Sequence, residues 1–183
     1  MKKFIKNFKA SQDFKPSFFG ILVNPYFIVR YNIFKGIKKF SSDFNKGSLL
    51  DFGCGSKPYE SLFKVEKYIG LDTNQSGHSH KNEKIDVLYD GKKIPFDDNH
   101  FDYIFSSEVL EHVFNIDEII SELNRVLKND GKILITLPFV WGEHEQPYDY
   151  ARYTSFGLKN ILENNGFEII DHIKTTNFIE TIF

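Results

Sequence analysis

The most constraining feature of the chain is the segment 49–55, in which an apolar run ends in an acidic residue and a Gly-x-Gly pair. A short buried strand that breaks into such a turn lets the backbone approach a ligand closely, because its glycines carry no side chains. After the first strand of a parallel sheet, this turn opens onto the crevice in which open α/β sheets bind ligands. The segment therefore predicts a strand over residues 48–52 and a ligand-binding turn behind it.

Strands and helices alternate along the rest of the chain. Further strands are predicted over residues 67–71, 85–88, 101–106, 132–137 and 167–173. Helices are predicted over residues 25–40, 59–63, 115–128 and 155–164, most clearly where apolar residues recur at helical spacing. Strands that alternate with helices form mostly parallel sheets with right-handed crossovers. The pattern therefore predicts an α/β fold.

Composition and charge exclude several classes of protein. One cysteine among 183 residues excludes an internal disulfide framework and is typical of a reducing compartment. A net charge of −2 gives no general attraction for nucleic acid, so we predict no nucleic-acid partner. The longest apolar run, residues 18–23, is too short to span a bilayer, and the N-terminal lysines precede no secretory apolar core. We expect a cytoplasmic protein without stable membrane insertion.

The two ends of the chain leave alternatives open. Residues 1–45 are predicted to form a helical extension and residues 46–183 the main domain. The N-terminal lysines surround apolar residues, a pattern that fits contact with an anionic membrane or partner. The alternatives are that the segment packs as a cap over the cleft or frays. Residues 178–183 form a last strand, or the sheet is incomplete. An exposed apolar edge would favour a homodimer.

Two carboxylates decide between candidate cofactors. A dinucleotide-binding turn needs a third glycine at position 58, which is proline here. Asp51 at the tip of the first strand can receive an ammonium group. Asp72, at the end of the second strand, is placed to accept both hydroxyls of a ribose. A ligand with an ammonium and a ribose but no pyrophosphate fits S-adenosylmethionine, although both acids could instead be simple caps.

A set of ordered motifs over residues 46–174 resembles the class I S-adenosylmethionine-dependent methyltransferases. The resemblance rests on residues 49–55, Asp72, Asp90-Gly91, 94–96, 101–104, 108–113, 123–127, 131–138 and 166–168. It implies a Rossmann-like, mostly parallel sheet of six to seven strands with helices on both faces. The third glycine that the family often has near position 57 is replaced by Lys57, followed by Pro58, which leaves the detail of the first loop open.

The resemblance also implies cofactor-binding roles for the matched residues. Asp51, Gly53 and Gly55 would bind the methionine end, and Asp72 the ribose. Asp90 would bond the adenine amine, with Gly91 allowing close approach. Ser106 and Ser107 would face the methionine moiety. Without this context, Asp90-Gly91 is typical of a turn, and the serines of a polar strand end.

The long aromatic-rich loop over residues 139–154 is the predicted acceptor pocket. We predict His144 as general base, with Arg152 or Tyr150 orienting the substrate. The alternative is a structural lid in which His144 and Arg152 bond to backbone or carboxylates. Residues 147–154 also resemble a segment of bacterial methyltransferases associated with cell-surface sugar biosynthesis.

A divalent metal is a further possibility that the resemblance raises. Glu108, Glu111 and His112 share one helical face, and some methyltransferases with a similar segment bind a cation there, sometimes with a later histidine that His144 could match. Polar contacts at a helix start are the alternative.

The leading interpretation is a methyltransferase that acts on a small molecule or glycan precursor. A non-catalytic S-adenosylmethionine-binding protein is the second interpretation. A nicotinamide-dependent oxidoreductase is the third, disfavoured by Pro58.

Overall fold

The sheet has five strands, all paired in parallel, in a computed structural model that describes residues 12–73 and 84–176. The order across the sheet is β3-β2-β1-β4-β5. The strands are β1 Ser48–Phe52, β2 Lys67–Thr73, β3 Val87–Tyr89, β4 Phe101–Ser107 and β5 Leu127–Thr136. The order reverses between β1 and β4, and ligands bind at such a point, beyond the carboxyl ends of the strands. The predicted α/β, Rossmann-like fold is confirmed.

The longer α-helices of the described residues are α1 Phe27–Phe40, α2 Ile116–Val126 and α3 Ser155–Asn164. Short 3₁₀ helices span Phe18–Leu22, Ser41–Asp43, Glu60–Leu62 and Leu110–His112. α2 buries one apolar stripe in the core of the sheet, formed by Ile119, Ile120, Leu123 and Val126. Burial of this stripe is the main stabilisation that a short helix of this kind has.

Several predicted element boundaries are wrong. α2 ends at Val126 rather than near residue 128, because Leu127 already pairs with Phe101 on β4. The predicted helix over residues 59–63 is a single 3₁₀ turn. Five strands replace the predicted six to seven in the described residues. Residues 167–173 form no paired strand, although Phe167 and Ile169 pack against the core, and the predicted strand 178–183 lies outside the described residues.

The chain divides into two compact units. One comprises Asn45–Lys57 and Lys64–Asp171 and contains the whole sheet with α2 and α3. The other comprises Met1–Phe44, Pro58–Phe63 and His172–Phe183 and contains α1. The division into domains at residue 45 stays a prediction. Among the described residues, no helix combines the length and the apolar character that a membrane crossing requires.

Candidate functional site

The turn after β1 is built so that only glycine fits at its first position. Gly53 has a φ of +74°, and a Cβ at this residue would overlap the side chain of Val109. The backbone N–H groups of Gly53 and Cys54 both donate to the carbonyl of Leu71 on β2, at 2.9 and 3.2 Å. Gly55 also has a positive φ, of +45°. The predicted close-approach turn is therefore present at the carboxyl end of β1.

Both predicted cofactor carboxylates lie at this edge of the sheet and are almost fully buried. Asp72 is 8% exposed and accepts hydrogen bonds from the N–H of Gly55, at 2.9 Å, and of Thr73, at 2.8 Å. Asp51 is 3% exposed and accepts a hydrogen bond of 2.6 Å from the Tyr68 hydroxyl. The acid at the tip of β2 therefore fixes the glycine turn that follows β1.

Both carboxylates lie close enough to the Cys54 thiol to raise its pKa. Burial raises its pKa, and the negative charges of Asp51 and Asp72 raise it further. Cys54 is 3% exposed. A thiol that is buried and surrounded by carboxylates is a poor nucleophile, because the thiolate is disfavoured. Cys54 therefore serves as packing within the turn.

A buried lysine lies near the position at which the family resemblance implies a third glycine, and sequence reasoning missed its partner. Lys57 adopts a φ of +55°, is 8% exposed, and pairs its ammonium with the carboxylate of Asp86. Asp86 also accepts the N–H of Gly70, at 2.7 Å. A Cβ on Gly70 would lie 2.6 Å from the Cys54 sulfur, so this glycine makes room for the turn. Burial opposes ionisation of Asp86, but the hydrogen bonds from Lys57 and Gly70 outweigh it and lower its pKa.

The predicted adenine-binding pair occupies a tight turn after β3. Asp90 is exposed and accepts the N–H groups of Lys92 and Lys93, at 2.9 and 3.2 Å, which lowers its pKa. Gly91 has a φ of +79°, and a Cβ there would meet its nearest neighbour only at 4.0 Å. The turn is thus open toward a ligand. A role for Asp90 in binding adenine stays a prediction.

The two serines at the end of β4 have different environments. Ser106 is fully buried, and its hydroxyl has no hydrogen-bond partner. Ser107 is half-buried and shares a hydrogen bond of 2.8 Å with the hydroxyl of Thr136 on β5. Of the two, Ser107 is the one with a partly accessible side chain. Their predicted contacts with the cofactor remain predictions.

The loop after β5 is tied to the short helix Leu110–His112 by backbone and side-chain bonds. The N–H groups of Tyr150 and Ala151 donate to the carbonyl of Glu111, at 2.8 and 3.2 Å. The Nδ1–H of His112 donates to the carbonyl of Tyr148, at 2.9 Å, since a carbonyl can only accept. In neutral His112 this leaves Nε2 as an acceptor. The loop is therefore ordered beside the carboxyl end of β4.

His144 and Arg152 meet on one carboxylate, that of Asp149. Asp149 lies 3.1 Å from Nδ1 of His144 and accepts its backbone N–H, at 2.9 Å. Arg152 binds both oxygens of Asp149, at 2.6 and 2.8 Å, and this fork holds the pKa of Asp149 far below its usual range. The Asp149 carboxylate is thus available to orient and stabilise a charged imidazole at His144.

The two residues predicted to orient the substrate are placed differently. Tyr150 is 45% exposed and packs edge-on against Phe114, with ring centroids 5.3 Å apart. The terminal nitrogens of Arg152 donate hydrogen bonds to Asp149 and to the carbonyls of Ala151 and Trp141, while its buried Nε has no partner. Arg152 therefore holds the loop together, and its role in orienting a substrate stays a prediction.

Three potential metal ligands come together beside this loop. Glu111, His112 and His144 each offer a ligand atom within 4.8 Å of the others, and no other such group involves the described residues. Glu111 is 1% exposed, neither of its carboxylate oxygens has a hydrogen bond, and burial followed by the charge of Glu108 raises its pKa to about 8. Glu108 itself accepts the Thr136 hydroxyl, at 2.9 Å, and is not part of this group.

Comparison with known proteins agrees with this geometry. A family model described as a methyltransferase domain matches residues 28–172. Phosphoethanolamine N-methyltransferase 2 of Caenorhabditis elegans is 30% identical over 161 residues, which cover 79% of this chain and 35% of the relative. The ubiquinone biosynthesis O-methyltransferase of Pelagibacter ubique is 33% identical over 120 residues, covering 58% of this chain and 49% of the relative. The chain thus spans at most about half the length of these two relatives.

A solved structure supports the fold. A SAM-dependent methyltransferase from Aquifex aeolicus superposes with a TM-score of 0.56 at 22% identity, covering 84% of this chain and 88% of the other. At this identity the likeness concerns the fold, while the match of the family model over most of the chain carries the assignment. The chain belongs to the class I S-adenosylmethionine-dependent methyltransferase family.

Proposed function

We propose that this chain transfers a methyl group from S-adenosylmethionine to a small-molecule or glycan-precursor acceptor. The observation that carries the proposal is the pair of buried carboxylates, Asp51 and Asp72, on either side of the Gly53–Gly55 turn. Family membership supports the same cofactor. Asp72 would also suit the ribose of a nicotinamide cofactor. Asp51 beside the glycine turn separates the two cofactors, because a carboxylate there repels a pyrophosphate and attracts an ammonium group.

Asp72 is suited to a ribose because it is a carboxylate held in a fixed orientation at the tip of β2. The N–H groups of Gly55 and Thr73 each donate to one of its oxygens. A carboxylate accepts hydrogen bonds from hydroxyls, so Asp72 would bind the two ribose hydroxyls. Asp51 would receive the ammonium of the methionine moiety, held in orientation by Tyr68.

The chemical step is a direct displacement at the methyl carbon. A lone pair on the acceptor atom forms the new bond to carbon while the carbon–sulfur bond breaks, and its electron pair stays on sulfur in S-adenosylhomocysteine. The sulfonium is already strongly electrophilic, so in-line placement supplies much of the acceleration. The acceptor's proton, where it has one to lose, leaves to a base.

His144 is the proposed base, and Asp149 is its positioning residue. The Asp149 carboxylate beside Nδ1 favours the imidazolium that forms when Nε2 takes the proton. Arg152 keeps Asp149 ionised and oriented rather than touching the acceptor. Tyr150, which is half-exposed on the same loop, would contact the acceptor.

The cluster of Glu111, His112 and His144 fits a divalent metal. Buried Glu111, with two unbonded oxygens, and the imidazoles of His112 and His144 form a mixed oxygen and nitrogen donor set. Such a set suits Zn²⁺, Mn²⁺ or Fe²⁺ better than Mg²⁺ or Ca²⁺. A bound cation would act as a Lewis acid on an acceptor oxygen. Backbone and carboxylate partners of the two histidines, Tyr148 and Asp149, would orient the rings, and Glu108 would stay on Thr136.

Calorimetry with S-adenosylmethionine tests the cofactor assignment. Asp72→Asn and Asp51→Asn should each weaken binding at least about tenfold, because each loses a charge-assisted hydrogen bond worth roughly 1.5–3 kcal/mol. Asp97→Asn, an exposed aspartate of the same unit, is the matched control. Unchanged affinity in both site variants, with circular dichroism intact, would defeat the proposal.

Turnover and metal titration separate the two roles of His144. Release of S-adenosylhomocysteine is measured over a panel of amine, phenol and sugar acceptors. If His144 is a base, His144→Ala lowers kcat and leaves cofactor affinity unchanged, whereas His112→Ala has little effect. If the cluster binds metal, Glu111→Gln and His112→Ala both abolish the calorimetric signal with ZnCl₂ or MnCl₂ alone. Full turnover of His144→Ala after chelation would remove both roles.

A further inference from the structure

The charge of the chain is divided very unevenly along its length. Residues 1–40 contain nine Lys and Arg residues and one Asp, a formal charge of +8. The remaining residues contain 14 Lys and Arg and 24 Asp and Glu, a formal charge of −10. No acidic residue lies between Asp13 and Asp43. The overall value of −2 therefore hides a strongly basic segment.

Large apolar side chains project into solvent within the same segment. Phe18 and Leu22 are 81% exposed, Phe19 is 67% exposed and Ile21 is 56% exposed. All four belong to the 3₁₀ helix Phe18–Leu22. A soluble surface rarely groups four such side chains on five consecutive residues, and exposed apolar groups of this kind mark sites of contact. We call these four residues the apolar turn.

The outward orientation of the apolar turn is fixed by buried polar groups on its inner side. Oε1 of buried Gln12 accepts the N–H and the hydroxyl of Ser17, at 2.7 and 3.0 Å. The amide of buried Asn24 donates to the carbonyl of Gln12, at 3.0 Å. Gly20 faces inward, and a Cβ there would lie 2.8 Å from Gln12 Oε1. Rotation of the turn to bury its phenylalanines would break these bonds.

Helix α1 adds a second stripe of the same character. Ile28 and Tyr31 are exposed, and Lys35 and Lys38 continue their stripe at helical spacing. Along the sequence, the apolar residues of this stripe follow the apolar turn, and its two lysines come after them. Exposed aromatic and aliphatic groups beside lysines, without acids, are typical of segments that lie in the interface of an anionic bilayer.

We propose that the apolar turn and the basic stripe of α1 dock this chain peripherally on an anionic phospholipid surface. The four side chains are mostly exposed on one tight turn, where Phe18 and Phe19 contact each other edge-on with ring centroids 6.4 Å apart. A fluid partner accommodates such side chains without a matching shape. The headgroup region of a bilayer does so. The lysines complement the negative surface potential, to which each near the membrane contributes about 1 kcal/mol. This inference does not depend on the proposed methyl transfer.

Vesicle sedimentation tests the proposal. We expect the chain to bind vesicles of phosphatidylcholine with roughly 30 mol% phosphatidylglycerol, to bind pure phosphatidylcholine much more weakly, and to lose the difference at about 1 M salt, where screening is short-ranged. A Phe18→Ser, Phe19→Ser, Leu22→Ser variant should bind at least about a hundredfold more weakly, because three apolar side chains no longer leave water, even if each is only partly buried in the bilayer. Lys35→Gln with Lys38→Gln should weaken binding about thirtyfold, on anionic vesicles only.

A matched control and a direct probe make the result decisive. Phe156→Ser removes a phenylalanine that is 85% exposed on α3 and should bind as the unmodified chain does. A fluorophore on Leu22→Cys should shift to the blue on anionic vesicles, and buried Cys54 will not compete for the label. No binding, equal binding to neutral vesicles, an equal loss in Phe156→Ser, or concentration-dependent self-association abolished by the triple variant would each overturn the proposal. The last outcome would assign the surface to a second copy of the chain.

Discussion

The ion pair between Lys57 and Asp86 allows a sharp test of how the cofactor turn is held. The ammonium side of this pair is buried, with the Lys57 side chain 6% exposed, whereas the Asp86 side chain is 46% exposed. The two single substitutions should therefore differ. Asp86→Ala leaves a cation in the interior, but Lys57→Met leaves a carboxylate that can turn toward water.

The magnitude follows from these exposures. Breaking a fully buried pair costs about 3–5 kcal/mol. Because Asp86 is nearly half exposed, solvent screens the pair and the cost of Asp86→Ala falls to about 1–2 kcal/mol. Gly70 also loses the acceptor of its N–H, which adds about 1 kcal/mol. The free energy of unfolding should fall by about 2–3 kcal/mol in Asp86→Ala, and by less than about 1 kcal/mol in Lys57→Met.

Urea denaturation followed by circular dichroism measures both values. Asp97→Ala, an exposed aspartate outside any pair that the structure shows, is the control for loss of charge alone. Asp86→Ala should also weaken binding of S-adenosylmethionine, because Lys57 closes the turn through its N–H to the carbonyl of Cys54, at 2.8 Å. Equal losses in the two site variants, or a loss in Asp86→Ala no larger than in the control, would refute the argument.

Three further predictions concern the same unit. The Lys128 ammonium and other donors lower the pKa of Asp102 to about 2. The ionised Asp102 therefore stabilises the fold fully above the unfolded pKa of about 4, and this contribution is lost as the pH falls toward 2. Asp102→Asn should flatten that part of an acid-unfolding curve. Cys54 should resist a thiol reagent at neutral pH until urea unfolds the chain, and rapid native labelling would contradict its burial. Gly53→Ala should destabilise by about 1–3 kcal/mol, through backbone strain and overlap with Val109, and a fully stable variant in thermal melts would disprove the strain.

The cofactor end of the site could be predicted from sequence because it follows from local pattern. A strand that ends in an acid and a Gly-x-Gly pair places Asp51, Gly53 and Gly55 at the sheet edge without any tertiary information. Asp72 follows because parallel strands end at the same edge. All four residues lie at this edge of the sheet in the structure, because β1 and β2 pair in parallel.

Long-range pairs escaped the sequence because no local rule indicates them. Lys57 and Asp86 are 29 residues apart, and a lysine at positive φ contradicts the usual preference for glycine there. Residues 167–173 were predicted to form a strand, but an apolar segment can pack on the core, as Phe167 and Ile169 do, without a hydrogen-bonded neighbouring strand. Propensity thus identified which residues face the core, and left open which backbone groups pair.

The loop over residues 139–154 shows why residue type alone leaves the roles of side chains open. His144 and Arg152 are both chemically suited to touch a substrate, yet they converge on Asp149, which sequence reasoning did not single out. Both terminal nitrogens of Arg152 donate to this carboxylate. A negatively charged group of an acceptor would therefore have to displace the ion pair with Asp149 to reach Arg152. An acceptor that enters here is therefore better matched to the half-exposed Tyr150 and to the imidazoles of His112 and His144. An amine or hydroxyl acceptor satisfies that requirement, and a carboxylate or phosphate placed against Arg152 does not.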